Sequence, residues 1–330
     1  MTVRNLQGDC RQKLRELATE SVHCAVTSPP YWLHRDYSAP GQIGREADPL
    51  AYIEALVAAF AALRRVLRHD GTLWLNLGDT YAKAAVPNAA LKPKDLIGLP
   101  WRVALALQAD GWWLRQDIVW SKPNPTPEPV TDRCTRSHEF LFTLTKSQSA
   151  YYDAEAIKET RADDRATDGD TGVSERNRGG RKDGFTKPRG IALGHLDGKR
   201  NRRSVWEIAP QPFAEAHFAT FPPALVEPCI LAGTSEHGCC ARCGAPWARI
   251  VDRRRERSGA RTLGWKASCD CGAGRAPATV LDPFGGAGTT GLVADRLGRD
   301  AILIELNPDY AAMTERRIRG EAGLLADVRS

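Results

Sequence analysis

The stretch from Ala278 to Glu305 limits the fold more than any other part of the chain. Ala278-Thr279-Val280-Leu281 is a short apolar strand candidate that runs into Asp282-Pro283-Phe284-Gly285-Gly286-Ala287-Gly288-Thr289-Thr290. A helical stretch from Thr290 to Leu297 follows, and a second strand, Ala301-Ile302-Leu303-Ile304, ends on Glu305. Two neighbouring strands joined through a helix must run parallel, and a parallel sheet is covered by helices on both faces. The glycine-rich first turn lets the backbone approach a ligand at a helix N-terminus. Glu305, 23 residues after Asp282, stands where a ribose diol is usually held. This unit predicts a nucleotide-like ligand and leaves a nicotinamide dinucleotide and S-adenosylmethionine both open.

The rest of the chain repeats the same alternation. Val3–Leu6, Val22–Val26, Thr72–Leu77, Trp113–Trp120 and Phe140–Thr145 read as strands. Cys10–Ser21, the stretch opening at Asp48-Pro49, Pro100–Ala109 and Pro223–Leu231 read as helices. Asp48 is a helix cap with proline in the first turn, and Gly71 is expected to stop that helix. The predicted fold is α/β, a doubly wound and mostly parallel seven-stranded sheet.

At the end of the Val22–Val26 strand stands Thr27-Ser28-Pro29-Pro30-Tyr31-Trp32. Two prolines end the ladder and stiffen the chain, leaving a hydroxyl, carbonyls and two rings at a strand's carboxyl end. The corner either stacks a planar polar ligand or is a stiff turn whose rings cover the core. Leu33 to Arg45, polar and turn-rich, is expected to be a mobile loop beside it.

Composition narrows the class. The chain of 330 residues carries a net charge of +6, compatible with nucleic acid as a partner. No apolar run reaches membrane-spanning length. Met1 to Asp9 lacks a signal-peptide pattern, so a cytoplasmic location is expected. Between Arg176 and Arg203 ten basic residues face two acidic ones, a pattern for a flexible basic loop at 160–203 that is ordered on binding, if at all. Five of the nine cysteines lie between Cys239 and Cys271. Cys240-x-x-Cys243 and Cys269-x-Cys271 suit a structural tetrathiolate zinc site, with Cys239 an alternative to Cys240.

Ser28-Pro29-Pro30-Tyr31 upstream and Asp282-Pro283-Phe284-Gly285-Gly286-Ala287-Gly288 downstream resemble the DNA amino-methyltransferases in their permuted β order. That resemblance implies S-adenosylmethionine as cofactor, double-stranded DNA as substrate and a target base flipped into a pocket. It implies catalytic roles for Ser28, Pro29, Pro30 and Tyr31, with Tyr31 as the stacking platform and Ser28 and the Pro29 carbonyl as acceptors for the target amino group. It places the cofactor against Asp9, Thr27, Phe218, Thr220, Asp282, Pro283, Phe284, Gly285, Gly286, Gly288, Thr289, Thr290 and Glu305. Serine at the head of the corner is more typical of members that methylate cytosine N4, and adenine N6 is the alternative. A restriction endonuclease counterpart and a monomer or homodimer are compatible with this family.

The implied organisation is a catalytic half at 1–159, the basic loop at 160–203, a cofactor-side segment at 204–233, a zinc-ribbon-like module at 234–275 and the cofactor-binding unit at 276–330. The loop and the cysteine module are candidates for reading DNA sequence. Two other chemistries compete. Pro228-Cys229 could supply a nucleophile for cytosine C5 methylation, and a zinc-containing nucleic-acid-binding protein without catalysis would account for the cysteines and the basic loop.

Overall fold

The computed structural model describes residues 1–37, 39–160, 199–211, 213, 220–252, 261–321 and 327–329. In chain order the elements are β1 (Thr2–Gln7), α1 (Cys10–Glu16), β2 (Val22–Thr27), α2 (Pro49–Val66), β3 (Leu67–Leu77), α3 (Leu99–Ala109), β4 (Trp113–Ser121) and β5 (His138–Thr145). Short strands β6 (Glu159–Thr160), β7 (Lys199–Arg200) and β8 (Val205–Glu207) precede α4 (Pro223–Gly233). The cysteine region holds β9 (Cys239–Cys240), β10 (Ala248–Asp252), β11 (Arg261–Lys266) and β12 (Arg275–Ala276). The chain closes with β13 (Thr279–Asp282), α5 (Thr289–Arg296), β14 (Asp300–Glu305), α6 (Pro308–Glu321) and β15 (Asp327–Arg329).

Nine strands form one sheet in the order β15-β1-β14-β13-β2-β3-β5-β4-β8. Within this sheet, among the described residues, only the β3·β5 and β5·β4 pairs are antiparallel. The doubly wound, mostly parallel sheet is as expected. The count exceeds the predicted seven because β8 and β15, three residues each, extend its two edges. Strand alternation divides the core. Ala25, Leu73 and Leu75 face α1, α2 and α3, alongside Leu14, Leu56, Phe60 and Val103. Cys24, Val26 and Trp74 face the other way, toward Leu225, Ile230, Leu292 and Ile318 of α4, α5 and α6. Every residue of β2 is buried for this reason.

Two helix ends differ from expectation. α1 stops at Glu16 rather than Ser21. Arg65 of α2 donates to the carbonyls of Leu14 (2.6 Å) and Leu17 (2.8 Å), which a continuing helix would need for itself. α2 does begin at Asp48, whose carboxylate accepts from Leu50 and Ala51 N–H. It ends at Val66, however, and Leu67 to Leu77 is one strand. Gly71 therefore lies inside β3, where a Cβ would sit 2.6 Å from Leu67 Cγ and 3.0 Å from the His23 carbonyl.

The cysteine module docks at the amino ends of the central strands. Thr279 N–H donates to His23 Nδ1 (3.0 Å), so the ring's proton sits on Nε2 and is donated to Gly244 O (2.9 Å). Arg68, paired with Asp70, donates to Cys243 O (2.6 Å). Arg249 of β10 is clamped by the buried Asp153 at 2.9 Å. The ends of the basic loop meet as the β6·β7 pair, where Glu159 accepts from both Arg200 and Arg203. Residues 161–198 of that loop lie outside the described residues.

The close of α4 on the sheet is tight. A Cβ at Gly233 would lie 2.6 Å from both Cys24 Sγ and Thr72 Oγ1. Gly233→Ala is expected to destabilise the fold by about 1–3 kcal/mol through overpacking, measured as a lower denaturation midpoint with an unchanged m-value.

Candidate active site

The carboxyl ends of β2 and β13 lie side by side, with Cys24 opposite Val280 and Ala25 opposite Leu281. This brings Thr27 to Asp282. Thr27 Oγ1 donates to Asp282 Oδ1 (2.6 Å), Thr290 Oγ1 donates to Oδ2 (2.8 Å), and Phe284 N–H adds a third bond (3.0 Å). Burial pushes the Asp282 carboxyl up to about 6, against these hydrogen bonds, which lower it. Thr27, Asp282, Gly288 and Thr290 form this buried junction beneath the site and do not line the cavity above it.

That cavity has a volume of about 660 Å³ and runs continuously from the glycine turn to the proline corner. Its first half is walled by Asp9, Pro283, Phe284, Gly285, Gly286, Thr289 and Glu305, with Thr220 on the α4 side. Phe218 lies outside the described residues. Glu305 accepts from Gly286 N–H (2.8 Å) and Asn307 N–H (2.9 Å) while burial raises its pKa. Asp9 caps α1 through Arg11 N–H, and the Arg11 guanidinium holds its carboxyl below the usual range. Gly286, at φ +51, takes a backbone conformation that suits glycine and lets the turn hug the Glu305 carboxylate. Two carboxylates that can accept from hydroxyls, a backbone turn and the Phe284 ring match S-adenosylmethionine, which carries a diol, a flat base and a positive sulfonium.

The second half is walled by Ser28, Pro29, Pro30 and Tyr31. Tyr52 Oη donates to Pro30 O (2.9 Å) and Trp32 Nε1 to Glu46 O (3.0 Å), so the corner is pinned from below and Trp32 is buried in the core. Tyr31 Oη reaches Glu139 Oε2 (2.7 Å) and Asn76 Oδ1 (3.2 Å), and Ser28 Oγ donates to it (3.2 Å). Lys122 pairs with the other Glu139 oxygen. The loop after the corner is folded over the mouth, where Asn307 Nδ2 donates to Tyr37 O (3.0 Å).

Sequence reasoning missed Asn76, Lys122 and Glu139. The available signal was polarity out of place, an amide inside the apolar run Leu73–Leu77 and an acid heading the strand that pairs with it. Cys229, the alternative nucleophile, is not placed for attack. Cys229 is fully buried, its thiol donates to Leu225 O (3.1 Å), and burial pushes its pKa well above the ordinary value. That chemistry has no place here.

Cys240, Cys243, Cys269 and Cys271 are drawn together, every Sγ within 4.8 Å of the others. A tetrahedral zinc ion with bonds of about 2.3 Å would set the sulfurs about 3.8 Å apart, so the cluster fits one. Backbone N–H groups of Cys243 and Arg242 draw the Cys240 thiol down to about 6. Cys239 points away, toward the carbonyls of Ala276 and Pro277.

A family model described as DNA methylase matches residues 22–316. The type II methyltransferase M.Cfr9I of Citrobacter freundii is 41% identical, with 96% of this chain and 87% of the relative aligned. M.SmaI of Serratia marcescens is 39% identical, over 94% and 89% of the two chains. Among solved structures, the PvuII DNA methyltransferase, titled cytosine-N4-specific, has the same fold, with a TM-score of 0.61 at 18% identity over 96% of this chain and 86% of that one. The sheet has the methyltransferase fold. The chain belongs to the DNA methylase family whose members modify exocyclic N4 or N6, and it is an S-adenosylmethionine-dependent type II DNA methyltransferase.

Tyr31 owes its seat to Gly78, where a Cβ would fall 2.7 Å from Tyr31 Cε2. Gly78→Ala is expected to push the ring out of place and cut turnover about 10²-fold, with S-adenosylmethionine affinity by calorimetry unchanged.

Proposed function

We propose that this methyltransferase modifies the exocyclic N4 of a cytosine flipped out of double-stranded DNA. The observation that carries the reading is Ser28, a neutral hydroxyl at the head of the corner, beside Tyr31 and open to the same cavity as Glu305. The base would stack on the Tyr31 ring, and Ser28 Oγ with the Pro29 carbonyl would accept from its amino group. Those two acceptors turn the nitrogen lone pair toward the other half of the cavity. When bound, S-adenosylmethionine supplies an electrophilic methyl group on its sulfonium. Glu305 would hold the ribose hydroxyls, with Phe284, Pro283 and Asp9 around the remainder and Gly285, Gly286, Thr289 and Thr220 closing the wall. Thr27, Asp282, Gly288 and Thr290 would keep the two halves in register from below. Catalysis then rests mainly on positioning and electrostatics.

The four-cysteine cluster would hold one structural zinc ion, because four thiolates leave no open position for water. Its place at the amino ends of β2 and β13 is four residues of strand, about 13 Å, away from the corner, which favours the basic loop over the module as the part that meets DNA. Phosphate contacts from residues 176–203 would make binding strongly salt-dependent. A nuclease that cuts the same DNA site would be the natural counterpart.

Digesting DNA methylated with labelled S-adenosylmethionine to nucleosides is expected to yield N4-methylcytosine. Recovery of N6-methyladenine instead would overturn the choice of base. The purified protein is expected to carry one zinc per chain by elemental analysis. Cys269→Ser is expected to lose the ion and lower the melting temperature, and a metal-free wild type of equal stability would refute the site.

A further inference from the structure

The Glu139 carboxylate comes to the corner from β5, and its two oxygens face different partners. Oε1 is paired with the Lys122 ammonium, which itself lies 4.4 Å over the Trp120 ring. The Lys122–Glu139 contact is a salt bridge, and the carboxylate of a salt bridge only accepts hydrogen bonds. Tyr31 must therefore give its single hydroxyl proton to Oε2, at 2.7 Å. Asn76 Oδ1 competes for that proton from 3.2 Å, but it is neutral and farther away. The Tyr31 oxygen is left as an acceptor, and Ser28 donates into it at 3.2 Å. Ser28 then has only lone pairs to turn toward the cavity. The carboxylate at the far end of the chain thus makes Ser28 an acceptor, the polarity that an amino group requires.

We propose that Ser28, Tyr31 and Glu139 are also the exit for the proton released by methyl transfer. Forming the N–C bond uses the nitrogen lone pair, and the electron pair of the broken C–S bond stays on sulfur. The nitrogen is left with a positive charge and one hydrogen to lose. That hydrogen passes as a proton to Ser28 Oγ, the Ser28 proton to Tyr31 Oη and the Tyr31 proton to Glu139 Oε2. Both hydroxyls are neutral again with their O–H bonds reversed, the carboxylate becomes a carboxylic acid, and nothing is oxidised or reduced. Glu139 and Lys122, 16% and 20% exposed, then return the proton to water.

Burial and the Glu139 charge push the Tyr31 phenol well above its ordinary pKa. It does not ionise on its own, and it conducts only when one proton arrives as another leaves. The groups facing Glu139 are Lys122 just after β4, Tyr31 and His34 from the corner and its loop, and His138 from β5 itself. Behind His138 lie Arg136 and Asp79, 3.8 Å apart. Lys122 is the cation bonded directly to the carboxylate, and it occupies Oε1 and leaves Oε2 to Tyr31.

The relay rests on reading the corner as an amino-methylation site, and it serves N4 and N6 alike. The test is single-turnover methylation by the full chain in H2O and in D2O, with base flipping followed by 2-aminopurine fluorescence in the target duplex. Glu139→Gln keeps the shape but accepts no proton. It is expected to slow methyl transfer about 10²-fold or more, to abolish the solvent isotope effect of the wild type and to leave flipping intact. Lys122→Met, which removes the cation paired with the acceptor, is expected to slow methyl transfer and reduce the isotope effect with flipping intact. A Gln variant with the wild-type rate or the wild-type isotope effect would overturn the relay, as would a wild-type rate in Lys122→Met. Should the Gln variant fail to fold, the rate and isotope effect of Lys122→Met decide alone. A wild type that methylates no DNA base would sink both the relay and the functional reading, whereas an active wild type indifferent to Glu139 sinks the relay only.

Discussion

The site depends on one buried carboxylate. Asp282 stands 255 residues from Thr27, yet accepts its hydroxyl proton at 2.6 Å and that of Thr290 at 2.8 Å. A carboxylate in this position would be costly if unpaired. Because it is saturated by Thr27, Thr290 and Phe284 N–H, it joins the proline corner to the glycine turn. The two halves of the cavity are held together by residues that do not line it. Their order along the chain has no bearing on this, since the junction needs only two adjacent strand ends.

A second polar chain sits above that junction, and its direction is set from one end. Lys122 holds Glu139 as an acceptor, which makes Tyr31 a donor to it and Ser28 a donor to Tyr31. Gly78 leaves room for the ring and Tyr52 pins the Pro30 carbonyl. The ring that would carry the base is thus held on its edge, its hydroxyl and its backbone before any ligand enters, which is what catalysis by positioning requires.

Much of this was legible in the residues. The Ala278–Glu305 unit and the corner after Val26 announced themselves because strand periodicity, proline and glycine act locally. The cysteine spacing did the same for the four-sulfur cluster. What was not legible was set by partners distant in sequence. α1 ends where Arg65 takes its carbonyls, and α2 gives way to β3 because Arg68 and Asp70 face the cysteine turn. Glu139 was hidden for a similar reason, since an acid at the start of an apolar strand looks like an ordinary solvent-exposed end until β4 and β3 bring Lys122 and Asn76 to it. The division of the glycine motif into wall residues and buried junction residues also requires three dimensions. Gly285 and Gly286 face the cavity, while Asp282, Gly288 and Thr290 support it.

The seam between β2 and β13 shows why the cysteine module belongs to the same design. Only two residue pairs, Cys24 with Val280 and Ala25 with Leu281, register across it. A ladder that short is weak on its own, yet the corner and the glycine turn both hang from it. Polar clamps stand at its two ends. At the carboxyl end Asp282 binds Thr27. At the amino end His23 binds Thr279 N–H on one side of its ring and Gly244 O, beside Cys243, on the other. Burial pushes the His23 pKa down to about 4, so this bridge stays neutral and keeps one donor and one acceptor in fixed places. The module grips the seam from the end opposite the cavity, at His23, four residues of buried strand before Thr27.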